Sequence, residues 1–342
     1  MANFDAGVNF GRAYSLEFFP LNKSASAIKF GQDRRLTAKD YRTGLAVEFN
    51  VVKTTPPLTH SSTDKADITI YNINPDTSRA IQRPGLFSFS LGHGNNLSVV
   101  FQGQKTTTAT GIVGNDTFLN IPMVAGTYLT KERYFSKTYN SGSSTLQIAN
   151  DLIDHIQEFK YPYTKLVGLN EFNRTNPKDN IIYKEPKTLR GDAVKLLAEL
   201  LPGFFVFITD SNTVNIVRRV ILNTGPLLAG PSLKWSPRFG QIDYIKYTTD
   251  ITDDGTRYGI QTRGILNPAI RVGTIMQVDT TQQRGLDVAE TVAAQLTPSL
   301  IELPDKFFCR VTSVRHFGNT YEGDFLTEWV GDYIETDAVP TI

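Results

Sequence analysis

Alternation of apolar and polar residues dominates the first third of the chain. Short runs rich in Val, Ile, Phe and Thr are separated by turn residues, at spacings typical of a β-sandwich or barrel. In the clearest run, Ala66, Ile68 and Ile70 share one face while the residues between them are polar. Residues 1–135 are therefore predicted to form a β domain.

One short helix is expected inside this domain. Asn74 is a favoured helix-capping residue, Pro75 suits the first helical position, and Asp76 complements the positive end of the helix dipole. Pro84 and Gly85 then end the helix before the next strand.

Helical periodicity replaces the alternation between residues 136 and 222. Ser144 and Gln147 have the spacing of a capping box, so a helix is predicted to begin there. The apolar face predicted for this helix consists of Leu146, Ala149, Leu152, Ile153 and Ile156.

A second helix is predicted to start near Thr188, with Asp192 in its first turn, and to end at 202–203 (Pro-Gly). The following run, FFVFITDSNTVNIV, predicts a β-hairpin whose turn is 210–212. Two helices and a hairpin make this segment an α+β insert.

The strand pattern returns in residues 223–342, apart from one helix predicted around Leu286 to Leu296. Asp253–Asp254–Gly255 predicts a hairpin turn. The fold class is therefore mainly β with an α+β insert, divided as 1–135, 136–222 and 223–342. This order excludes a doubly wound parallel sheet built from regular βαβ units.

Charge and composition narrow the classes of function. The 342 residues carry 35 Lys and Arg against 34 Asp and Glu, a net charge of +1. This balanced charge argues against binding nucleic acid through phosphate neutralisation. A local basic patch is still compatible with the balance. No apolar stretch approaches the ~18 residues of a membrane span, and the first residues lack the basic region of a signal peptide.

The single cysteine, Cys309, cannot form an internal disulfide, and alternation in KFFCRV predicts that it is buried rather than a nucleophile. We therefore expect folding in a reducing cytoplasm.

No catalytic or metal-binding constellation stands out, and no cofactor is predicted. The chain lacks a P-loop and a nucleophile elbow. The four histidines lie in unrelated contexts without metal-ligand spacing: His60, His93, His155 and His316. Asp250 to Gly255 imitates the start of a calcium loop, but Gln261 stands where the loop needs Glu.

Two further functional hypotheses, acid catalysis and sugar binding, concern residues that are scattered along the chain. Glu17, Glu302 and Glu328 lie in apolar surroundings, where strand residues facing solvent or an interface are expected more often than acid catalysts. Four aromatic residues are candidates for stacking on sugars, although core or interface packing is the commoner role: Tyr161, Tyr163, Trp235 and Trp329.

Three segments, taken together and in order, resemble the baseplate hub proteins of long-tailed bacteriophages. The first is a strand ending in Ile70–Tyr71–Asn72 and followed by a short helix. The second runs from Leu266, Asn267 and Pro268 to Gly273, with Val272 where the family pattern has proline. The third is Gly323–Asp324, which leads into the closing strand after the run 310–316.

The resemblance implies two tube-type β-barrels per chain, flanking or interleaved with a small helix-hairpin domain. It also implies a homotrimer in the tail baseplate of a virion, assembled in the host cytoplasm and without enzymatic activity. The implied partners are a tail tube or distal tail protein, the central spike protein, other baseplate proteins and a tape measure protein.

Six barrels in a trimer would connect a sixfold tube to a threefold spike, and DNA would pass through during ejection. The ring interior is therefore expected to be neutral or acidic. A tail-associated cell-wall hydrolase, a glycan-binding adhesin and the hub of a non-viral contractile injection machine are the alternatives.

Overall fold

The computed structural model describes most of the chain with side chains in place. The described residues are 11–20, 27–31, 45–54, 64–94, 96–125, 134–158, 165–167, 180–201, 204–209, 213–218, 232–243, 245–252, 255–281 and 305–334. Among them, no helix is long and apolar enough to cross a membrane.

The first part of the chain forms strands around one short helix, as the alternation predicts. The elements are β1 Arg12–Pro20, β2 Ile28–Gly31, β3 Val47–Thr54, β4 Lys65–Tyr71, α1 Pro75–Ile81, β5 Gly85–His93, β6 Asn96–Lys105, β7 Ala109–Val113 and β8 Asp116–Val124. Inward-facing side chains of these strands build a core rich in phenylalanine, in which Phe18, Phe87 and Phe89 are buried. The helix prediction is confirmed, since the side chain of Asn74 accepts a hydrogen bond from the Asp76 amide at 2.8 Å.

Two helices and two small sheets form the insert. The elements are β9 Tyr134–Tyr139, α2 Thr145–Glu158, β10 Lys165–Val167, β11 Lys187–Asp192, α3 Ala193–Leu200, β12 Phe204–Thr209 and β13 Thr213–Arg218. The hydroxyl of Ser144 accepts a hydrogen bond from the Gln147 amide at 3.2 Å, which confirms the predicted cap. The predicted apolar face is correct except at its first position. Leu146 is 37% exposed, and Ile148 is buried instead because it lies on the stripe shared with Ala149 and Leu152.

The predicted start of the second insert helix is wrong. Thr188 lies in strand β11, which pairs antiparallel with β9 along its whole length. The helix begins after Asp192, whose carboxylate caps it by accepting from the amides of Val194 and Lys195 at 2.9 and 3.0 Å. The hairpin of β12 and β13 is confirmed, while its turn at 210–212 lies outside the described residues.

Strands again dominate the last third. The elements are β14 Leu233–Trp235, a single 3-10 turn at Pro237–Phe239, β15 Lys246–Thr252, β16 Gly255–Ile265, β17 Ile275–Asp279, β18 Lys306–Asn319 and β19 Phe325–Ile334. The hairpin of β15 and β16 is confirmed by pairing of Thr252 with Gly255, and the helix predicted at 286–296 lies outside the described residues.

A single mixed sheet of 14 strands includes both β-rich parts of the chain, in the order β15-β16-β19-β18-β3-β4-β8-β6-β5-β1-β2. Strand β7 pairs with β8, whereas β14 and β17 extend from β18. Two apolar clusters pack against this sheet, one built mainly from β1–β8 and one from β14–β19, and a third cluster forms the core of the insert. The fold is mainly β with an α+β insert, as predicted.

Candidate functional site: the seam between the two β-rich parts

Strand β18 joins the two β-rich parts, because it pairs with both along one edge. Its first half pairs with β17, and its second half pairs with β3 from Ser313–Thr54 to Asn319–Glu48. A bulge between Val311 and Ser313 marks the change of partner. We call the ladder between β3 and β18, with the loop 319–324 that follows it, the seam.

The loop at the end of the seam is held by hydrogen bonds from the first part of the chain. The amide of Val47 donates to the hydroxyl of Thr320 at 3.0 Å, and the amide of Thr320 donates to the carbonyl of Val47 at 2.9 Å. The guanidinium of Arg12 donates to the carbonyls of Asn319 and Gly323 at 2.7 and 2.6 Å. Burial lowers the pKa of Arg12 while the nearby Asp324 carboxylate opposes this shift. The loop is therefore fixed from several sides.

A group of aromatic side chains packs against the buried side of the seam. The ring of Phe325 is 4% exposed and meets the rings of Phe49 and His93 edge-on, at centroid distances of 5.6 and 5.4 Å. The Arg12 guanidinium lies 5.3 Å from the centre of the same ring. Although Phe325 and Leu266 come from the last part of the chain, both belong to the apolar cluster of the first part. The two β-rich parts are therefore joined by side-chain packing as well as by strand pairing.

The first predicted motif lies beside the seam. Ile70 is fully buried, and the hydroxyl of Tyr71 donates to the carboxylate of Glu48 at 2.9 Å. This hydrogen bond is the largest cause of the raised pKa of Tyr71. Asn72 has a φ of 54°, a left-handed conformation that Asn adopts more readily than most residues. Its side chain and amide bind the hairpin of β7 and β8 rather than the seam.

The second predicted motif forms a turn against β18 and β19. The amide of Leu266 donates to the carbonyl of Phe325 at 2.9 Å, and the amide of Asn267 donates to the Thr327 hydroxyl at 2.8 Å. Pro268 follows as a half-buried turn residue. The left-handed φ of 87° at Gly273 brings its amide to the Val311 carbonyl at 2.7 Å. The motif therefore fastens the chain between β16 and β17 to β18 and β19.

The third motif, Gly323–Asp324, is part of the seam loop itself. Gly323 has a left-handed φ of 69°, and the Asp324 carbonyl accepts from the Asn319 amide at 2.8 Å. The structure thus brings the first motif, the third motif and the start of the second, Leu266–Pro268, to one end of the sheet, whereas Gly273 contacts Val311 in the middle of β18.

A polar groove of about 550 Å³ lies on the outer face of the seam. Its wall holds four carboxylates and one guanidinium among the side chains Glu48, Asn50, Asp67, Thr69, Asn120, Arg315, Asn319, Glu322 and Asp324. Arg315 donates to the Asn50 side chain at 2.8 Å and lies 3.8 Å from the Glu328 carboxylate. The outer face of the seam is therefore polar, with an excess of negative charge in the groove.

The inner face carries a buried histidine. His316 is 1% exposed, and its Nδ1 lies 2.9 Å from the Thr327 hydroxyl. Burial lowers the pKa of His316 to about 3, and the positive charges of Lys53 and Arg271 add to this effect. The imidazole is therefore neutral at ordinary pH.

The residues considered for chemistry have structural surroundings. Cys309 is fully buried, and burial raises the pKa of its thiol, as expected for an inert cysteine. Glu17 pairs with Lys29 at 2.9 Å, and Glu328 accepts from the Gln261 amide at 2.5 Å. Glu302 lies outside the described residues, as does His60. Within the described part of the chain, no three His, Cys, Asp or Glu side chains are grouped as metal ligands.

The two tryptophans considered for sugar binding are core residues. Trp235 and Trp329 are 1% and 0% exposed, and their rings meet edge-on at 5.6 Å. Neither ring offers a face to a ligand. Tyr161 and Tyr163 lie outside the described residues.

The contacts that hold the seam gave no signal in the sequence. Arg12 bonds to carbonyls more than 300 residues away, and His93 contacts the Leu266 carbonyl at 3.2 Å across 173 residues. Alternation identifies the strands that carry these residues but not their partners across the chain.

Comparison with solved structures gives a consistent fold. A tail protein from Neisseria meningitidis matches with a TM-score of 0.53 and 10% identity, over 96% of this chain and 99% of that protein. A 43 kDa tail protein of prophage MuSo2 from Shewanella oneidensis matches with a TM-score of 0.50 and 12% identity, over 96% and 99%.

A third match is a component of the E. coli type VI secretion system, described as similar in structure to the T4 phage tail proteins gp27 and gp5. It has a TM-score of 0.53 and 10% identity, over 86% of this chain and 75% of that protein. No protein-family model and no curated protein matches the chain. Over nearly its whole length the chain therefore has the fold of tail proteins, and the resemblance carried by the sequence motifs is confirmed at the level of the fold.

Proposed function

We propose that the chain is a structural hub protein of a phage-type tail, a homotrimer that connects a sixfold tail tube to a threefold central spike. The observation that carries this proposal is the match to a tail protein over 96% of this chain and 99% of that protein. Several polar and ionisable residues of the candidate site, among them Glu48, Arg315 and His316, have structural partners, which also favours a structural role. The protein is accordingly proposed to have no enzymatic activity.

Each β-rich part is proposed to be one tube-type barrel, with boundaries near 1–135, 136–222 and 223–342. The three apolar clusters, each built mainly from one of the three parts, support this division. Three chains would place six such barrels in a ring, so that one face of the ring matches sixfold symmetry and the other matches threefold symmetry. Closed cyclic symmetry keeps such an assembly finite.

The seam gives the proposed hub its stiffness. The two β-rich parts share a strand ladder, the Arg12 hydrogen bonds and the buried Phe325 ring. A hinge between them would break all three kinds of contact at once. We therefore propose that the two barrels of one chain move as one body when the tail transmits force.

The polar outer face of the seam is proposed to line the lumen of the ring. Four carboxylates against one guanidinium in the groove suit a channel that lets DNA pass without holding it. A basic lumen would bind phosphates and obstruct ejection. A trimer structure with a continuous basic channel would contradict this assignment.

The proposed partners follow from this position in the particle. They are the tail tube or distal tail protein, the central spike protein, other baseplate proteins and the tape measure protein. DNA is proposed to pass through the ring transiently during ejection. The proposed location is the tail baseplate of a virion, with assembly in the host cytoplasm.

Sedimentation of the purified full chain tests the proposed trimer. We expect a species of three times the chain mass at micromolar concentration. Peptidoglycan zymography tests the hydrolase alternative, and a glycan array tests the adhesin alternative. Clear lysis or micromolar sugar binding by a stable monomer would overturn the structural proposal.

A hub in a non-viral contractile injection machine is the second candidate. It is favoured by the match to the type VI secretion component, which extends over 86% of this chain. Deletion of the gene separates the two candidates. Loss of infectious particles favours the phage tail, whereas loss of contact-dependent secretion with normal particle yield favours the injection machine.

A further inference from the structure

Two exposed apolar patches lie at the same end of the main sheet, one beside β8 and the other beside β16. This end, called the rim here, is where β4, β16 and β18 end and where β3, β8 and β19 begin, as the registers Val47–Ile70, Tyr71–Phe118 and Ile265–Leu326 show. Between the two patches the strands run in the order β16-β19-β18-β3-β4-β8.

The hairpin patch lies beside β8 and consists of Ile112, Val113 and Asp116. Ile112 is 73% exposed and Val113 is 63% exposed, although both belong to a strand. Within the described part of the chain, β7 pairs with β8 on one edge only. No charged residue and no proline occurs in the run 106–115, so the open edge lacks the usual protection against pairing.

Hydrogen bonds hold this hairpin in place. The amide of Asn72 donates to the Thr117 carbonyl at 2.8 Å, and its side chain bonds to the Asp116 carboxylate and the Thr117 amide at 2.7 and 3.0 Å. A two-stranded hairpin in water is marginal without such support. An apolar tip held rigid in solvent is therefore preorganised for a partner.

The turn patch lies beside the end of β16 and consists of Arg238, Phe239 and Ile242. Phe239 is 54% exposed and Ile242 is 57% exposed. The turn that presents them is tied to β16 by a bridge between Gln241 and Gly264 and by the Ile242 amide, which donates to the Arg263 carbonyl at 3.0 Å. This patch is also an apolar pair on a fixed backbone.

We propose that the hairpin patch of one copy docks on the turn patch of the next copy, head to tail around the trimer. Each patch has two apolar side chains, and the flanking charges are opposite, Asp116 on one and Arg238 on the other. Because the contact joins two unlike surfaces, three copies related by a threefold axis can close it into a ring. This inference rests on the proposed trimer and adds its interface.

Cysteine cross-linking of the full chain tests the contact directly. Val113→Cys and Ile242→Cys are introduced together, while the native Cys309 stays buried and unreactive. We expect oxidation of the double variant to give covalent dimers and trimers that stop at three chains. Each single-cysteine variant should stay monomeric on the same gel, because a head-to-tail contact joins unlike surfaces. Cross-linked dimers from either single variant would contradict the proposal.

Charged substitutions test the energetics. Ile112→Asp should raise the concentration for half-assembly about tenfold or more, since an interface centre tolerates charge poorly. Ile182→Asp is the matched control, because Ile182 is 65% exposed in the insert and should leave assembly unchanged. Asp116→Arg and Arg238→Asp should each weaken the trimer, and the double swap should restore it at least in part. Circular dichroism melts show that each variant is folded.

The outcomes separate this inference from the proposed function. A wild-type trimer with no cross-linking and no effect of Ile112→Asp overturns the interface but leaves the hub proposal standing. A wild-type chain that stays monomeric at all concentrations contradicts both.

Discussion

The seam and the hairpin of β7 and β8 lie at the same end of one sheet, but they differ in strand pairing. Strand edges are paired at the seam, whereas one edge is open at the hairpin. At the seam, every position of β3 from Glu48 to Thr54 pairs with β18, and the Phe325 ring is buried. At the hairpin, one strand edge of β7 is open within the described part of the chain, and Ile112 and Val113 face solvent.

This difference separates two kinds of joint. A joint within one chain is completed during folding, so its apolar groups are buried and its loss costs stability. A joint between chains is left incomplete until assembly, so its apolar groups stay exposed in the monomer. We therefore expect seam substitutions to change unfolding and hairpin substitutions to change assembly.

The largest effect is expected for Phe325→Ala. Removing this ring leaves a cavity between Phe49 and His93 and should lower the free energy of unfolding by about 3–5 kcal/mol. Urea denaturation at one fixed protein concentration measures the change. Tyr134→Ala is the control, because Tyr134 is 61% exposed, lies outside both patches and its truncation should cost less than about 0.5 kcal/mol. Equal losses for the two variants would contradict the comparison.

Acid should weaken the seam through His316. Its pKa is about 3 in the folded chain against 6.5 for an ordinary histidine, so the unfolded state takes up the proton first. The contribution is fully present above pH 6.5 and is lost as the pH falls towards 3. By proton linkage, about 3 kcal/mol of stability is lost when the pH falls from above 6.5 to 4.

Comparison of the wild type with His316→Gln isolates this contribution. The free energies of unfolding of both proteins are measured between pH 7 and pH 4. The difference between them should shift in favour of the variant as the pH falls. A difference independent of pH would show that His316 is not the responsible group.

Arg12→Met should have a smaller effect on the seam. The variant keeps most of the side-chain length but leaves the carbonyls of Asn319 and Gly323 without their donor, at a cost of about 1–2 kcal/mol. Thermal unfolding measures this loss. Arg79→Met is the control that should leave the melting temperature nearly unchanged, because the Arg79 side chain is 79% exposed and its ion pair lies on the surface.

The smallest global effect is expected for Asn72→Ala, which removes the side chain that holds the hairpin. Amide exchange at Thr117 should speed up by about tenfold, because the local opening becomes easier while the core is unchanged. Asn72→Gly separates the two causes, since glycine tolerates the φ of 54° but also lacks the side chain. Unchanged exchange at Thr117 in both variants would contradict the assigned role of Asn72.

The sequence predicted the elements that carry strong local signals. Alternation identified most strands, and the cap at Asn74 identified α1. Strand β2 carries no clear signal because four residues are too few for a pattern, and the signal of β8 is weakened by Pro122, since proline is uncommon inside strands. The helix expected at Thr188 starts later because pairing with β9 overrides the local preference of Lys187–Asp192.

The contacts of the seam could not be predicted from the sequence for a different reason. The motif residues Leu266 and Gly323 were singled out by resemblance, but the contacts of Arg12 and Phe325 join distant parts of the chain. Neither periodicity nor spacing encodes such a pairing. The exposure of Ile112 and Val113 could not be predicted either, because it depends on which neighbours the fold places beside β7.

The central claim is that this chain is a ring-forming structural subunit, and a cryo-EM reconstruction of the purified full chain tests it most directly. We predict a threefold particle with six barrel-like densities in one ring, the polar face of the seam towards a neutral or acidic channel, and the hairpin of each copy on the next. A twofold dimer, or a monomer at every concentration examined, would contradict the account.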